Sequence, residues 1–260
     1  MTPDEGFFVD SATMERMLDA TAAAEESHFW FLGLRRNARL LLQHALGRLA
    51  PRLIIDCGAG TGRNLDWLRE IGPAVGVERS PVGLAHGRAR GRRMVRGSVT
   101  HLPFADGIAE VVTSFDVLYC LDDLAERQAI REMWRVLAYD GVALVNVAAL
   151  DILHGSHSTL THEQRRYTRR KLTDRLEDAG FALERITYTN LPAFPLALAV
   201  RLGERLTGRA GIASDADLRV PAAPLNAMLN AALIVEHGWL HGINSPVGTS
   251  VMAVVRKVRK

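Results

Sequence analysis

Leu53-Ile-Ile-Asp-Cys-Gly-Ala-Gly-Thr-Gly-Arg-Asn64 is the stretch on which the fold turns. Three branched apolar residues predict a short buried strand, which Asp56 closes. Glycines follow at 58, 60 and 62. In the next segment, Arg63 to Ile71, the residues Leu65, Leu68 and Ile71, with Trp67 alongside, fall on one helical face. The order is strand, glycine loop, helix. Glycine lets the backbone turn tightly and approach a ligand, and a helix N-terminus offers free N–H groups to a carboxylate or phosphate.

Spacing narrows the ligand. The dinucleotide fingerprint G-x-G-x-x-G requires glycine at 63, where this chain has Arg63. The pattern is instead acidic-x-Gly-x-Gly-x-Gly. Another apolar run, Ala74-Val-Gly-Val-Glu78, ends on a second acid twenty-two positions after Asp56. A carboxylate at that separation can accept both hydroxyls of an adenosine ribose. The two features together resemble the first motifs of class I S-adenosylmethionine-dependent methyltransferases.

Composition sets bounds on this reading. The 260 residues are 48% hydrophobic and 23% charged, which suits a soluble globular chain able to bury a sizeable core. A net charge of +3, with a pI near 9.1, is too modest to point to nucleic acid. The basic run Arg88, Arg90, Arg92, Arg93 and Arg96 has no interleaved aromatics to stack bases, so it reads as a solvated helix end. Two cysteines, Cys57 and Cys120, fit free thiols in a reducing compartment. The first residues lack a basic segment followed by an apolar one, and no window is long and apolar enough to span a membrane. A cytoplasmic protein is expected.

Outward from the glycine loop, strands and helices alternate, as in a parallel sheet covered on both faces. Strands are expected at 53–56, 74–78, 94–96, 110–115 and 142–147. Ile130, Met133, Trp134 and Leu137 form a helical core stripe, and Gly141 suits a left-handed turn before the fifth strand. Further strands are expected over Phe181–Tyr188 and Ser250–Arg256.

The resemblance extends nearly end to end and implies an α/β, Rossmann-like, seven-stranded sheet, mostly parallel, with an antiparallel last strand. Its subgroup includes small-molecule and glycan-pathway methyltransferases with an N-terminal Phe-Trp-Phe, here Phe29-Trp-Phe31, and a His…Arg-Arg-Tyr segment, here His162 to Tyr167. The organisation expected is a helical N-terminal arm (1–50), a cofactor-binding core (51–190), a helical insertion (191–246) and a final core strand (247–260). Within the insertion, Gly208 to Asp217 reads as a loop between two apolar helices.

Carried over position by position, the resemblance implies S-adenosylmethionine binding by Asp56, Gly58, Ala59, Gly60 and Asn64, then by Glu78 and Arg79. Ser98 and Val99 take the adenine positions, with serine where the family has an acid, and Phe115 borders the cofactor beside Asp116. The family's Phe-Asp and Glu-His are replaced here by Ala109-Glu110 and Tyr119-Cys120. The cluster His28-Phe-Trp-Phe31 beside Arg35 has two readings. It staples the arm to the core, or Trp30 and Arg35 close over the cofactor, the arginine meeting its carboxylate.

The function this implies is methyl transfer, on oxygen, to a small-molecule acceptor, leaving S-adenosylhomocysteine. For a hydroxyl acceptor a base helps, and His157 and His154, after the fifth strand, are the candidates by titration range. Neither a metal site nor a nucleic-acid partner is expected. A membrane-surface contact of the insertion and the oligomeric state stay open. The rivals are a cofactor-binding protein of this fold that transfers no methyl (cyclase-like or structural), an RNA methyltransferase and a dinucleotide oxidoreductase.

Overall fold

Ile54 and Ile55, neighbours in strand β1 (Ile54–Cys57), are both fully buried, although successive side chains of a strand face opposite ways. That burial needs helices on both sides of the sheet. In the computed structural model, which describes residues 11–155, 163–207 and 219–259, they are present. The remaining strands are β2 (Ala74–Glu78), β3 (Met94–Arg96), β4 (Ala109–Phe115), β5 (Leu137–Ala148), β6 (Phe181–Thr189) and β7 (Ser250–Lys257). They form one seven-stranded sheet in the order β3-β2-β1-β4-β5-β7-β6. β1 to β5 pair in parallel, and β7 inserts antiparallel between β5 and β6. The last strand is antiparallel, as expected.

Helices α1 (Ser11–Ala24) and α2 (Phe29–Leu46) precede the sheet. Then come α3 (Leu65–Leu68), α4 (Pro81–Ala89), α5 (Asp123–Val136) and α6 (Arg169–Asp178). The period of two sorts the core. Ile54, Val111, Leu144 and Val254 face Leu34, Leu41 and Leu42 of α2 together with Leu65 and Leu84. Ile55, Val112, Val145 and Ala253 face Ile130 and Met133 of α5 and Leu172 and Leu176 of α6. Between β6 and β7 the chain adds α7 (Phe194–Leu206) and α8 (Ala223–Trp239). α8 lies against α2, so closely that a Cβ on Gly33 would meet Leu233 Cδ1 at 2.6 Å. Among the described residues no helix is long and apolar enough to cross a membrane.

Three local expectations change. The left-handed residue of the turn within β5 is Asp140 (φ 63°), not Gly141. A short polar side chain tolerates that conformation, and Gly141 is needed instead for close approach, since its Cβ would lie 2.9 Å from the Ala138 carbonyl. Within the basic run Arg92 is buried, because its guanidinium donates to Asp66 at 2.7 Å and to the Thr61 carbonyl at 2.8 Å. The helix after the glycine loop is only Leu65–Leu68, and Gly72 bonds back to Leu68 at its end. The expected loop 208–217 lies outside the described residues.

Candidate active site

The sheet reverses its order of growth between β1 and β4, so the crevice at their carboxyl ends is where a ligand of such a fold sits. The glycine loop leaves β1 there. Gly58, Gly60 and Gly62 all have positive φ (75°, 55° and 75°), which other L-residues adopt at a cost. The amides of Gly58 and Ala59 both donate to the Val77 carbonyl at 2.9 Å, stitching the loop to β2. Among the described residues, a Cβ on Gly60 would meet only Leu18 Cδ2, 3.5 Å away. The space above Gly60 is therefore a cradle that packing leaves open.

Beneath the loop Asp56 is buried. The Thr113 hydroxyl donates to its Oδ1 at 2.7 Å, while Oδ2 has no partner among the described residues. Burial, opposed by that bond and reinforced by the charge of Glu78, pushes its carboxyl up to about 7. Glu78 closes β2 and accepts three backbone amides, from Gly60 at 2.8 Å, Arg79 at 2.8 Å and Ser80 at 2.7 Å. Burial raises its carboxyl, and those bonds work against the rise.

Two cavities open at this end of the sheet. The donor-side cavity, about 190 Å³, is lined by Gly58, Ala59, Gly60 and Asn64 of the loop, by Phe115, and by Trp30 and Arg35 of α2. All seven are predicted cofactor residues. Arg35 donates to the Glu25 carbonyl at 2.6 Å, and burial pushes its guanidinium down to about 10. Asp56 lies below this cavity. Glu78, exposed Arg79, Ser98 and Val99 lie along the neighbouring β2–β3 edge, outside the walls of both cavities. Ser98 Oγ is 2.8 Å from Thr100 Oγ1.

The second cavity, about 300 Å³, lies between the sheet end and the inserted helices. Phe29, Leu153, Leu196, Val200 and Leu229 supply apolar wall, and the ion pair of Glu163 with Arg166 (2.8 Å) supplies polar wall. Trp30, Phe31, Asp116 and Tyr119 line both cavities, so the two meet there. Sequence reasoning set Asp116 beside the cofactor and gave it no chemical part. Its position after Phe115, at the carboxyl end of β4, is the signal that marks it. Of the predicted bases, His154 is exposed and lines neither cavity, and His157 lies outside the described residues.

The residues present fit S-adenosylmethionine. An open glycine cradle and a cation beside aromatic rings line one cavity, a buried acid stands beneath its loop, and a second acid at the end of β2 holds that loop by the Gly60 amide. Residues 55–145 match the family model of a methyltransferase domain. A curated protein of Mycolicibacterium smegmatis, named as a probable S-adenosylmethionine-dependent methyltransferase, is 32% identical over 177 residues, 66% of this chain and 65% of that one. A malonyl-[acyl-carrier protein] O-methyltransferase of Geobacter sulfurreducens is 33% identical over 153 residues, covering 50% of this chain and 56% of its own. The chain thus spans just under two thirds of the first relative's length. Among solved structures, an S-adenosylmethionine-dependent methyltransferase of Thermotoga maritima superposes with a TM-score of 0.58 at 19% identity, covering 95% of this chain and 98% of that one. The matched domain and these relatives together indicate a class I S-adenosylmethionine-dependent methyltransferase.

Proposed function

We propose that this protein transfers a methyl group from S-adenosylmethionine to an oxygen of a small-molecule acceptor. One observation carries the reading: the cavity over the glycine loop and the larger apolar cavity meet at Trp30, Phe31, Asp116 and Tyr119. Donor and acceptor held on either side of that junction would be aligned for in-line displacement, and alignment is the main contribution a protein makes to such a reaction. When bound, the sulfonium supplies a methyl group that is already electrophilic.

The chain's residues divide the remaining work. Gly58 and Gly60 let the backbone pass under the ligand, and Glu78 stands where a ribose is received. Arg35 puts positive charge at the donor cavity, suited to an amino-acid carboxylate, while Arg63 there is paired with Glu26 and Asp66. The apolar walls from α7 and α8 exclude water from the junction. In this scheme α7 and α8 cap the acceptor chamber, and α1 and α2 close the donor side. Free Cys57 and Cys120 suit work in the reducing cytoplasm.

The test is direct. Calorimetry should find binding of S-adenosylmethionine and S-adenosylhomocysteine, and tighter binding of NADH would sink the reading. Incubating the protein with methyl-deuterated S-adenosylmethionine and a panel of small hydroxyl and carboxyl compounds should yield a product heavier by one labelled methyl. Cofactor binding without any such product would favour a non-transferring role.

A further inference from the structure

We propose that Asp116 is the catalytic base, and that the larger cavity takes an apolar acceptor presenting an acidic O–H, a phenol or an enol, to its carboxylate. The inference rests on the methyl-transfer reading above. Asp116 belongs to both cavities, so its side chain stands at the junction a transferred group must cross. Its φ of 61° lies in the left-handed region, which turns the chain sharply out of β4. Such a conformation is unfavourable for a non-glycine residue and persists where the surroundings enforce it.

Here they do. The Asp116 amide donates to the Asn146 carbonyl at 3.0 Å, and Asn146 Nδ2 donates to both carboxylate oxygens, at 3.1 and 3.2 Å. Asn146 is itself fully buried in β5. A neutral amide thus orients the carboxylate without cancelling its charge, as an arginine would.

The surrounding charges are compatible with a base. Glu163 and Arg166, from the segment before α6, face Asp116 as an ion pair whose effects oppose each other. Tyr119 and Cys120 are further titratable neighbours, and burial raises both well above neutrality, so they stay uncharged, while His28, Arg201 and Arg219 also line the larger cavity. Burial is the largest influence on Asp116 itself, moderated by Asn146, and its carboxyl is pushed up to about 7. Brønsted behaviour favours a base whose pKa lies near the operating pH.

The fixed carboxylate and the apolar walls around it select the acceptor. A phenolic hydroxyl, with a pKa of about 10, lies within reach of such a base, whereas an alkyl alcohol is far less acidic. A carboxylate acceptor arrives ionised, needs no base and would be repelled by Asp116. The aromatic and aliphatic walls from Phe29, Trp30, Phe31 and Leu229 suit a ring or a conjugated enol. In the step, the acceptor's O–H proton passes to an Asp116 oxygen as its oxygen lone pair forms the new O–CH₃ bond. The electrons of the broken S–CH₃ bond stay on sulfur, and the proton is later released to water.

The probe is 2-naphthol. Its affinity for the S-adenosylhomocysteine-loaded protein is measured by calorimetry between about pH 5 and about pH 9. Affinity should rise at least about tenfold as Asp116 ionises, and the rise should be absent in Asp116→Asn. Asparagine also tolerates the left-handed backbone, so that variant should fold. With S-adenosylmethionine, Asp116→Asn should lower kcat for 2-naphthol by about a hundred- to ten-thousand-fold, remove the limb of the pH profile near 7, and leave cofactor affinity within about threefold. Asp116→Glu should recover part of the rate. The proposal is overturned if the loaded wild type does not bind 2-naphthol, if the variant's rate lies within a few-fold of wild type, or if cofactor affinity falls in parallel with rate. Failure of the wild type to bind S-adenosylmethionine would instead remove the methyl-transfer reading itself.

Discussion

The amide of Gly60 donates to Glu78 Oε2 at 2.8 Å, tying the middle of the glycine loop to the end of the neighbouring strand. Two parts of the motif that the sequence linked by spacing, the glycine loop and the acid that ends β2, are in direct contact. The bond presets the loop's path and leaves the carboxylate at the edge of the crevice. Glu78→Ala should release the loop as well as remove a ribose acceptor. Its effect on cofactor affinity would therefore mix two causes, and Gly60 offers the cleaner test.

Gly60→Val should abolish S-adenosylmethionine binding while the protein stays folded. The new side chain would enter the open cradle, and the nearest protein atom to its Cβ is 3.5 Å away. Adopting φ near 55° costs a branched residue about 1–2 kcal/mol, a loss the fold should survive. Gly58→Ala is the contrast, because its Cβ would lie 2.4 Å from Val117 Cγ2 and force a shift. Calorimetry and circular dichroism on both variants should separate ligand clash from fold damage. Unchanged affinity in Gly60→Val would remove the loop from the cofactor site.

Asp56 gives a pH-dependent prediction. Its folded carboxyl stands at about 7 and an unfolded aspartate near 3.9, so the native state binds more protons between those values. Stability therefore falls as pH rises through that window, by at most about 1.4 kcal/mol per pH unit from this group, and levels off above it. Asp56→Asn keeps an acceptor for the Thr113 hydroxyl and removes the titration. The ligand-free variant should match wild type near pH 4 and be more stable near pH 8, while binding the cofactor more weakly. Denaturant melts across pH would check the first part. A wild-type curve that rises with pH relative to the variant would contradict it.

Much of the core was legible because its signals are local. The apolar run Leu53-Ile-Ile55 marked a strand, and the alternation of strands with helices implied that both faces of the sheet were covered, as the opposite facing of Ile54 and Ile55 bears out. Asp56, the three glycines and Glu78 could be read together because their spacing reflects one β-loop-α-β unit. What stayed hidden depends on distant partners. Arg92 looked solvated until folding brought Asp66 beside it. Asp116 could be placed near the cofactor, but its share in a second cavity requires α2, α7 and α8 to be in position. Histidines were favoured as bases from their ordinary titration range, and a carboxyl lifted by burial carries no mark in sequence.

Trp30 discriminates between the two readings of the N-terminal aromatics. It is half-buried, meets Phe31 edge-on at 5.0 Å and lines both cavities. If the aromatics only staple α2, Trp30→Ala should lower the melting temperature and leave ligand affinity alone. The expected result is a cofactor affinity at least about tenfold weaker, in line with the loss of a large aromatic contact. Melting curves with and without S-adenosylhomocysteine would measure both.

Glu236 holds the inserted helices to the sheet. It is fully buried in α8, and its carboxylate accepts the amides of Asn190 at 3.0 Å and Leu191 at 2.9 Å, where the chain leaves β6. The Ser245 hydroxyl donates to it from the segment before β7. One side chain thus gathers both ends of the insertion. Asn190 is left-handed (φ 62°), so this exit also depends on being held. Glu236→Ala would leave two shielded amides without acceptors, at about 1–3 kcal/mol each. For a chain of this size each kcal/mol lowers the melting temperature by about 2–4 °C. Glu236→Gln retains one carbonyl oxygen and should lose less. Hydrogen exchange at the Asn190 and Leu191 amides should accelerate in Glu236→Ala, and the acceptor chamber should loosen before the glycine loop does. Unchanged exchange at those two amides would mean that the insertion is held by its apolar contacts alone.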